Sequence, residues 1–193
     1  MRLHSAIIAA LLNHALNGPV RYQPFYCEEN AWHLAAALEV RLAPVRVIVI
    51  AGLGEHTALW QQRASRRPDG LVLWDYHVIC AAADRIFDPD SRLGLDIAAT
   101  TYFDATFQPL VEGCQPRFRV LSAAEYRAQL ATDRRHMRDA SGGYLQPPPP
   151  WPLIGEGHTL PILLDMSRPS PGNVVALNDL YTLLQGPDSR FEP

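Results

Sequence analysis

"LVLWDYHVIC", Leu71 to Cys80, and "AAADRIFDPD", Ala81 to Asp90, decide the fold class. The first stretch is rich in Val, Ile, Trp and Tyr and reads as a long strand. Arg85 to Asp88 reads as a short strand close behind it. A turn around Ala82 and Ala83 makes the two an antiparallel pair. Alternation along the first strand puts Asp75, His77 and Ile79 on one face and Trp74, Tyr76 and Val78 on the other. The expected register sets His77 opposite Asp88, with Cβ atoms about 4.5–5.5 Å apart. It also sets Asp75 opposite Asp90, which makes Asp90 the lesser partner for His77.

Working outward, Cys27 opens a helical pattern with Trp32, Leu34, Ala35 and Leu38 near one face. Val45 to Ala51 reads as a buried strand, with Thr57 to Gln61 as its expected partner. Thr100 to Phe107 is expected to be helical and Phe118 to Leu121 a strand. "SAAE", Ser122 to Glu125, has capping-box spacing and starts a helix running to about Leu130. Residues 132–161 are loop-rich and contain "PPPP" at Pro147 to Pro150, a run that no helix interior or central strand admits. The aromatics Tyr144 and Trp151 suggest that this segment packs on the body. Val174 to Leu177 reads as a last strand, and Asn178 as the cap of a final helix ending at Gly186. An amphipathic helix is expected at Ser5 to Leu16, within a variable N-terminal segment of residues 1–20. With helices at both ends and strands between, the expectation is a single α+β domain over residues 1–193.

The 193 residues are 48% hydrophobic, enough for a core without disulfides or metal. Net charge is −3, which argues against nucleic-acid binding. All 17 basic residues are Arg, so no lysine nucleophile or Schiff base is available. Cys27, Cys80 and Cys114 form no CxxC, and an odd count points to a reducing compartment. Arg2 and the apolar run Ala6 to Leu12 have the outline of a short signal peptide, but Asn13 and His14 interrupt it. No stretch approaches the ~20 apolar residues of a membrane span. The expectation is a cytoplasmic monomer with no membrane partner.

"GLGEH" at Gly52 to His56 lacks the third glycine of a dinucleotide loop. The histidines show no metal-ligand spacing; His4, His14, His33, His136 and His158 read as surface or packing residues. No metal or cofactor is expected. Cys27, His77 and Asp88 remain, in an order that suits a nucleophilic triad. A buried helix-start thiol and a hydrogen-bonded core histidine are the plainer readings of the first two. Cys27 precedes Glu28 and Glu29, which should disfavour its thiolate. Placement in the first turn of a helix, beside a protonated His77, would offset that.

Six blocks together resemble the protein N-terminal glutamine amidohydrolase family. They are "YCEEN.W" (Tyr26 to Trp32), "WDYHV" (Trp74 to Val78), "FD.D" (Phe87 to Asp90), "FRV" (Phe118 to Val120), "DR.HM.D.SG" (Asp133 to Gly142) and "PPPP.P" (Pro147 to Pro152). They keep the family's order from about Tyr22 to Leu184. The resemblance implies a papain- or transglutaminase-like fold and a catalytic triad of Cys27, His77 and Asp88. It implies hydrolysis of the side-chain amide of N-terminal glutamine, on proteins or peptides, through a thioester and without a cofactor. In eukaryotes the product feeds a protein-degradation pathway, the N-degron route. A terminal residue also needs a partner for its α-ammonium group. Glu28, Glu29 and Asp75 are the candidates, Glu29 and Asp75 being preferred, with Tyr26, Trp74 and Tyr76 as walls. Other readings of the same triad are a transglutaminase or a cysteine protease. A non-catalytic module that binds N-termini is the reading from a different class.

Overall fold

The computed structural model describes residues 20–42, 44–108 and 112–185. The N-terminal helix expected at Ser5 to Leu16, and Gly186, lie outside them. Helix α1 spans Cys27–Glu39, followed by strand β1 (Val45–Gly52) and a small hairpin of β2 (Thr57–Leu59) and β3 (Val72–Trp74). Next come β4 (Tyr76–Ala82), β5 (Arg85–Phe87), β6 (Asp96–Ala98) and helix α2 (Ala99–Thr106). Strand β7 (Pro116–Ser122) leads into α3 (Ala123–Gln129), and α4 (Leu160–Leu164), β8 (Asn173–Val175) and α5 (Leu177–Gln185) complete the described chain.

Six strands form one sheet in the order β6-β5-β4-β1-β7-β8, with every neighbouring pair antiparallel. This is the α+β arrangement expected, a mainly antiparallel sheet flanked by helices. β1 reads VRVIVIAG and lies in the middle. Both its edges are paired and both its faces covered, so its apolar residues need not alternate with polar ones. Val47 and Val49 pack with α1 residues Leu34, Ala35 and Leu38 on one face. Ile48 and Ile50 pack with Tyr102, Phe103, Phe118 and Leu180 on the other. Fully burying a side chain of this size contributes about 1.5–3 kcal/mol. The Ser122 capping box is present in both directions: Ser122 Oγ accepts from the Glu125 N–H, and the Ser122 N–H donates to Glu125 Oε2.

Several expectations at Thr57 to Asp90 are corrected. Leu71 to Cys80 is not one strand. Thr57, Ala58 and Leu59 pair with β3, not with β1. Both edges of β1 are already taken, by β4 and β7. The chain changes sheets at Asp75, between β3 and β4. This interrupts the expected alternation, and Trp74 stacks on His77 at 5.7 Å. The β4–β5 turn is Ala83-Asp84, with Ala83 at φ 48°, and it pairs Ala82 with Arg85 and Cys80 with Phe87. That register is two residues away from the expected one. Continued past Phe87 it would set His77 against Asp90, but the ladder stops there. At the C-terminal end Asn178 lies inside α5, which begins at Leu177, so it is not the cap.

Candidate active site

The turn before α1 is held by Asn30. Its Oδ1 accepts from the Gln23 N–H and its Nδ2 donates to the Gln23 carbonyl, both at 2.8 Å. Phe25 adopts φ 69°. A left-handed conformation is costly for an aromatic residue, and such outliers concentrate at functional sites. The turn delivers Cys27 as the first residue of α1, where backbone N–H groups are free of helical hydrogen bonds and the dipole favours negative charge. Cys27 is 6% exposed and packs in the core with Val78 of β4, whose N–H favours the thiolate. His77 is therefore the adjacent residue on the strand beneath the thiol.

His77 and Asp88 are both fully buried. His77 Nε2 lies 3.0 Å from Asp88 Oδ1, so Nε2 carries the hydrogen and Nδ1 keeps the lone pair. Nδ1 is buried and has no hydrogen-bond partner. Asp88 Oδ2 accepts from the Tyr102 hydroxyl at 2.9 Å, and Oδ1 also accepts from the Asp90 N–H at 2.9 Å. Burial opposes charge on both members of the pair, but their mutual attraction outweighs it. The net effect raises the His77 pKa and lowers that of Asp88. Asp90 takes the Tyr22 hydroxyl at 2.6 Å, and burial followed by the Asp88 charge leaves its pKa raised. Atoms of His77, Asp88 and Asp90 lie within 4.8 Å of one another, close enough to hold an ion, yet each already has a partner within the protein.

The three candidate carboxylates go to different places. Glu29 is fully buried and forms a fork with Arg134, Nε to Oε1 at 2.7 Å and a second guanidinium nitrogen to Oε2 at 2.8 Å. Trp151 Nε1 donates to the same Oε2 at 2.7 Å. Glu29 thus clamps the 132–161 segment to α1, with both of its oxygens held by donors. Asp75 has an 81% exposed side chain and pairs with His56 at 3.0 Å, on the rim of the small hairpin. Glu28 is fully buried beside the sulfur. Its Oε2 lies 3.9 Å from Cys27 Sγ and accepts from the Tyr76 hydroxyl at 3.0 Å. Its Oε1 lacks a hydrogen-bond donor and faces His136 Nε2 at 3.3 Å.

Of the aromatics, Trp74 covers the His77 ring and is held by a Gln62 hydrogen bond at 3.2 Å. Tyr76 points at Glu28. Tyr26 is fully buried, donating its hydroxyl to the Gln146 carbonyl. His136 was expected at the surface or in packing. It instead joins Glu28 and Tyr76, 3.2 Å from the Tyr76 hydroxyl, with His158 stacked at 5.3 Å. The signal that could have found it was its place inside "DRRHM".

Arg134 supplies a stability prediction. Arg134→Met would leave the Glu29 carboxylate buried without its cation, and breaking such a pair costs about 3–5 kcal/mol. Urea unfolding should report that loss, whereas Arg135→Met, in an exposed pair with Asp133, should leave the unfolding midpoint nearly unchanged. Equal costs would show that the clamp contributes nothing special.

Comparison with known proteins covers most of the chain. The model of the N-terminal glutamine amidase family matches residues 22–184. The chain is 34% identical over 166 residues to the protein N-terminal glutamine amidohydrolase of Caenorhabditis briggsae, across 80% of this chain and 89% of the relative. Against the Arabidopsis thaliana protein of that name, identity is 34% over 153 residues, across 70% and 69%. Against the Homo sapiens one it is 32% over 193 residues, across 86% and 93%.

Proposed function

This chain belongs to the N-terminal glutamine amidase family, and we propose that it hydrolyses the side-chain amide of an N-terminal glutamine to glutamate, releasing ammonia. The observation that carries the reading is the buried His77–Asp88 pair beneath a cysteine at a helix start, within a sequence that matches the family over residues 22–184.

Cys27 is the nucleophile in this reading. Its thiol proton passes to His77 Nδ1, the buried nitrogen without a partner. Asp88 fixes the tautomer through Nε2 and stabilises the imidazolium. The thiolate attacks the amide carbon, and the Cys27 N–H is one donor to the tetrahedral oxyanion. His77 then gives its proton to the departing ammonia. A thioester remains, and His77 activates the water that hydrolyses it. Trp74 and Tyr76 border the reacting centre. Tyr26 and Glu29 support it from within, through Gln146 and Arg134.

Glu28 is the partner of the substrate α-ammonium group. Among the three carboxylates, it alone combines proximity to the sulfur with an oxygen lacking a donor. In glutamine four bonds separate the α-nitrogen from the amide carbon, about 5 Å at full extension. Asparagine is one methylene shorter and cannot span both points as well. No described helix is long and apolar enough to cross a membrane. The three unpaired cysteines favour a reducing, cytoplasmic setting.

Ammonia release from a Gln-initiated peptide tests the proposal, beside its Nα-acetylated and Asn-initiated counterparts. Acetylation removes a charge-assisted hydrogen bond worth about 1.5–3 kcal/mol and adds bulk. The loss in kcat/KM should exceed about tenfold. Comparable values for the free and acetylated peptides would favour a transglutaminase, and backbone cleavage would favour a protease.

A further inference from the structure

The site contains an electrostatic conflict. A carboxylate stands beside the sulfur that must become an anion: Glu28 Oε2 is 3.9 Å from Cys27 Sγ, and the Glu28 side chain is fully buried. Burial first, then the charge of Glu28, then that of Asp90, hold the Cys27 thiol well above its ordinary pKa, opposed by the Val78 N–H. Nothing among the described residues supplies Glu28 with an arginine, as Arg134 does for its neighbour Glu29. A buried carboxylate without a full set of donors is costly, and keeping one beside a nucleophile needs a reason.

We propose that the α-ammonium group of the substrate supplies the missing cation, so that seating a free N-terminus on Glu28 is also what permits Cys27 to ionise. The inference rests on the N-terminal-glutamine reading and adds a regulatory step to it. In the free protein the proton stays on sulfur. When the ammonium pairs with Glu28, the local negative charge is neutralised and the thiol proton can move to His77 Nδ1. The ammonium keeps its own protons, so proton balance within the site is conserved.

The groups that face this pair are known from every packed element. Tyr76 and His77 come from β4, Asp88 and Asp90 from the segment after β5, and Tyr126 from α3, with its hydroxyl on the Glu28 carbonyl. His136 comes from the 132–161 segment, with His158 stacked on it and Asp133 3.9 Å from His158. Of these, His77, His136 and His158 can carry positive charge, and burial followed by the His136 charge lowers the pKa of His158. His77 is committed to Asp88, and His136 meets Oε1 without hydrogen-bond geometry. Selectivity for a terminal residue would thus act on the chemical step. A peptide lacking the ammonium would meet an unactivated thiol.

Two measurements test this. The first is the pH profile of Cys27 alkylation by iodoacetamide, read on the Cys27 peptide by mass spectrometry, for the wild-type protein and Glu28→Gln. Removing the carboxylate charge lowers the thiol pKa and enlarges the thiolate fraction. The Glu28→Gln profile should shift to lower pH by at least about one unit, giving roughly tenfold faster alkylation on the rising limb. Superimposable profiles would overturn the proposal. The second uses wild-type protein alone and so survives any misfolding of the variant. A Gln peptide whose α-amine is replaced by hydroxyl should lose at least about tenfold in kcat, whereas a mere binding contact would appear in KM with kcat unchanged. An unchanged kcat overturns the proposal. If the unmodified Gln peptide releases no ammonia, the reading of the substrate fails instead, and the alkylation profiles still report whether Glu28 restrains the sulfur.

Discussion

Cys27→Ala and Cys27→Ser are expected to abolish ammonia release from Gln-initiated peptides while leaving the fold intact. Removing the nucleophile of a hydrolytic triad costs on the order of 10⁶ in kcat in the subtilisin example. The structural cost is small: the side chain is short and stands at the edge of the core, at the start of α1. Cys80 and Cys114 should be dispensable for chemistry. Cys80 is fully buried, donates its S–H to the Ala31 carbonyl at 3.5 Å, and burial pushes its thiol far from ionisation. Cys80→Ala should lower the melting temperature through lost packing and keep its activity. Activity retained in Cys27→Ala and lost in Cys114→Ala would overturn the assignment.

The second large effect separates the two buried aspartates. His77→Ala should be nearly inactive, since in the proposed mechanism it removes both the acceptor of the thiol proton and the donor to ammonia. Asp88→Asn should fall by up to about 10⁴ in kcat, the loss seen when the orienting carboxylate of a serine protease becomes an amide. The geometry says why: Asp88 Oδ1 receives His77 Nε2, and an amide nitrogen placed there would enforce the wrong tautomer. Asp90→Asn should be much milder. Asp90 touches Asp88 only through its backbone N–H, and its carboxylate serves Tyr22. Steady-state kinetics of the three variants check the ranking, and the opposite order for the aspartates would transfer the orienting role to Asp90.

The pairing of His77 with Asp88 shows how a sound expectation can rest on a wrong detail. The expected register would have placed the two side chains directly opposite. The observed ladder is two residues away and ends at Phe87. Asp88 reaches His77 because the chain leaves the sheet after Phe87 and folds back through Ser91, whose N–H donates to the Asp88 carbonyl. Tyr102, on α2, then fixes the other oxygen. The hydrogen bond is made by a loop and a helix, and no alternation rule encodes either.

What the sequence by itself determined are the features governed by short-range periodicity and local chemistry. The apolar run at Val45 to Ala51 had to be a buried strand, the Ser122 box had to start a helix, and Cys27 had to open one. The α+β class followed from their order, and the motif blocks identified the family. Tertiary structure alone decided the destinations of side chains that adjacency treats alike. Glu28 and Glu29 are neighbours in the same helical turn, yet about 100 degrees of rotation sends one to the sulfur and the other to Arg134. Asp75 adjoins Trp74, but the change of sheet at that residue turns it to solvent. His136, some 100 residues away from Glu28 in the chain, completes the cluster. Each outcome depends on a partner supplied by another element, and a carboxylate's role is set by the cation or hydroxyl that reaches it.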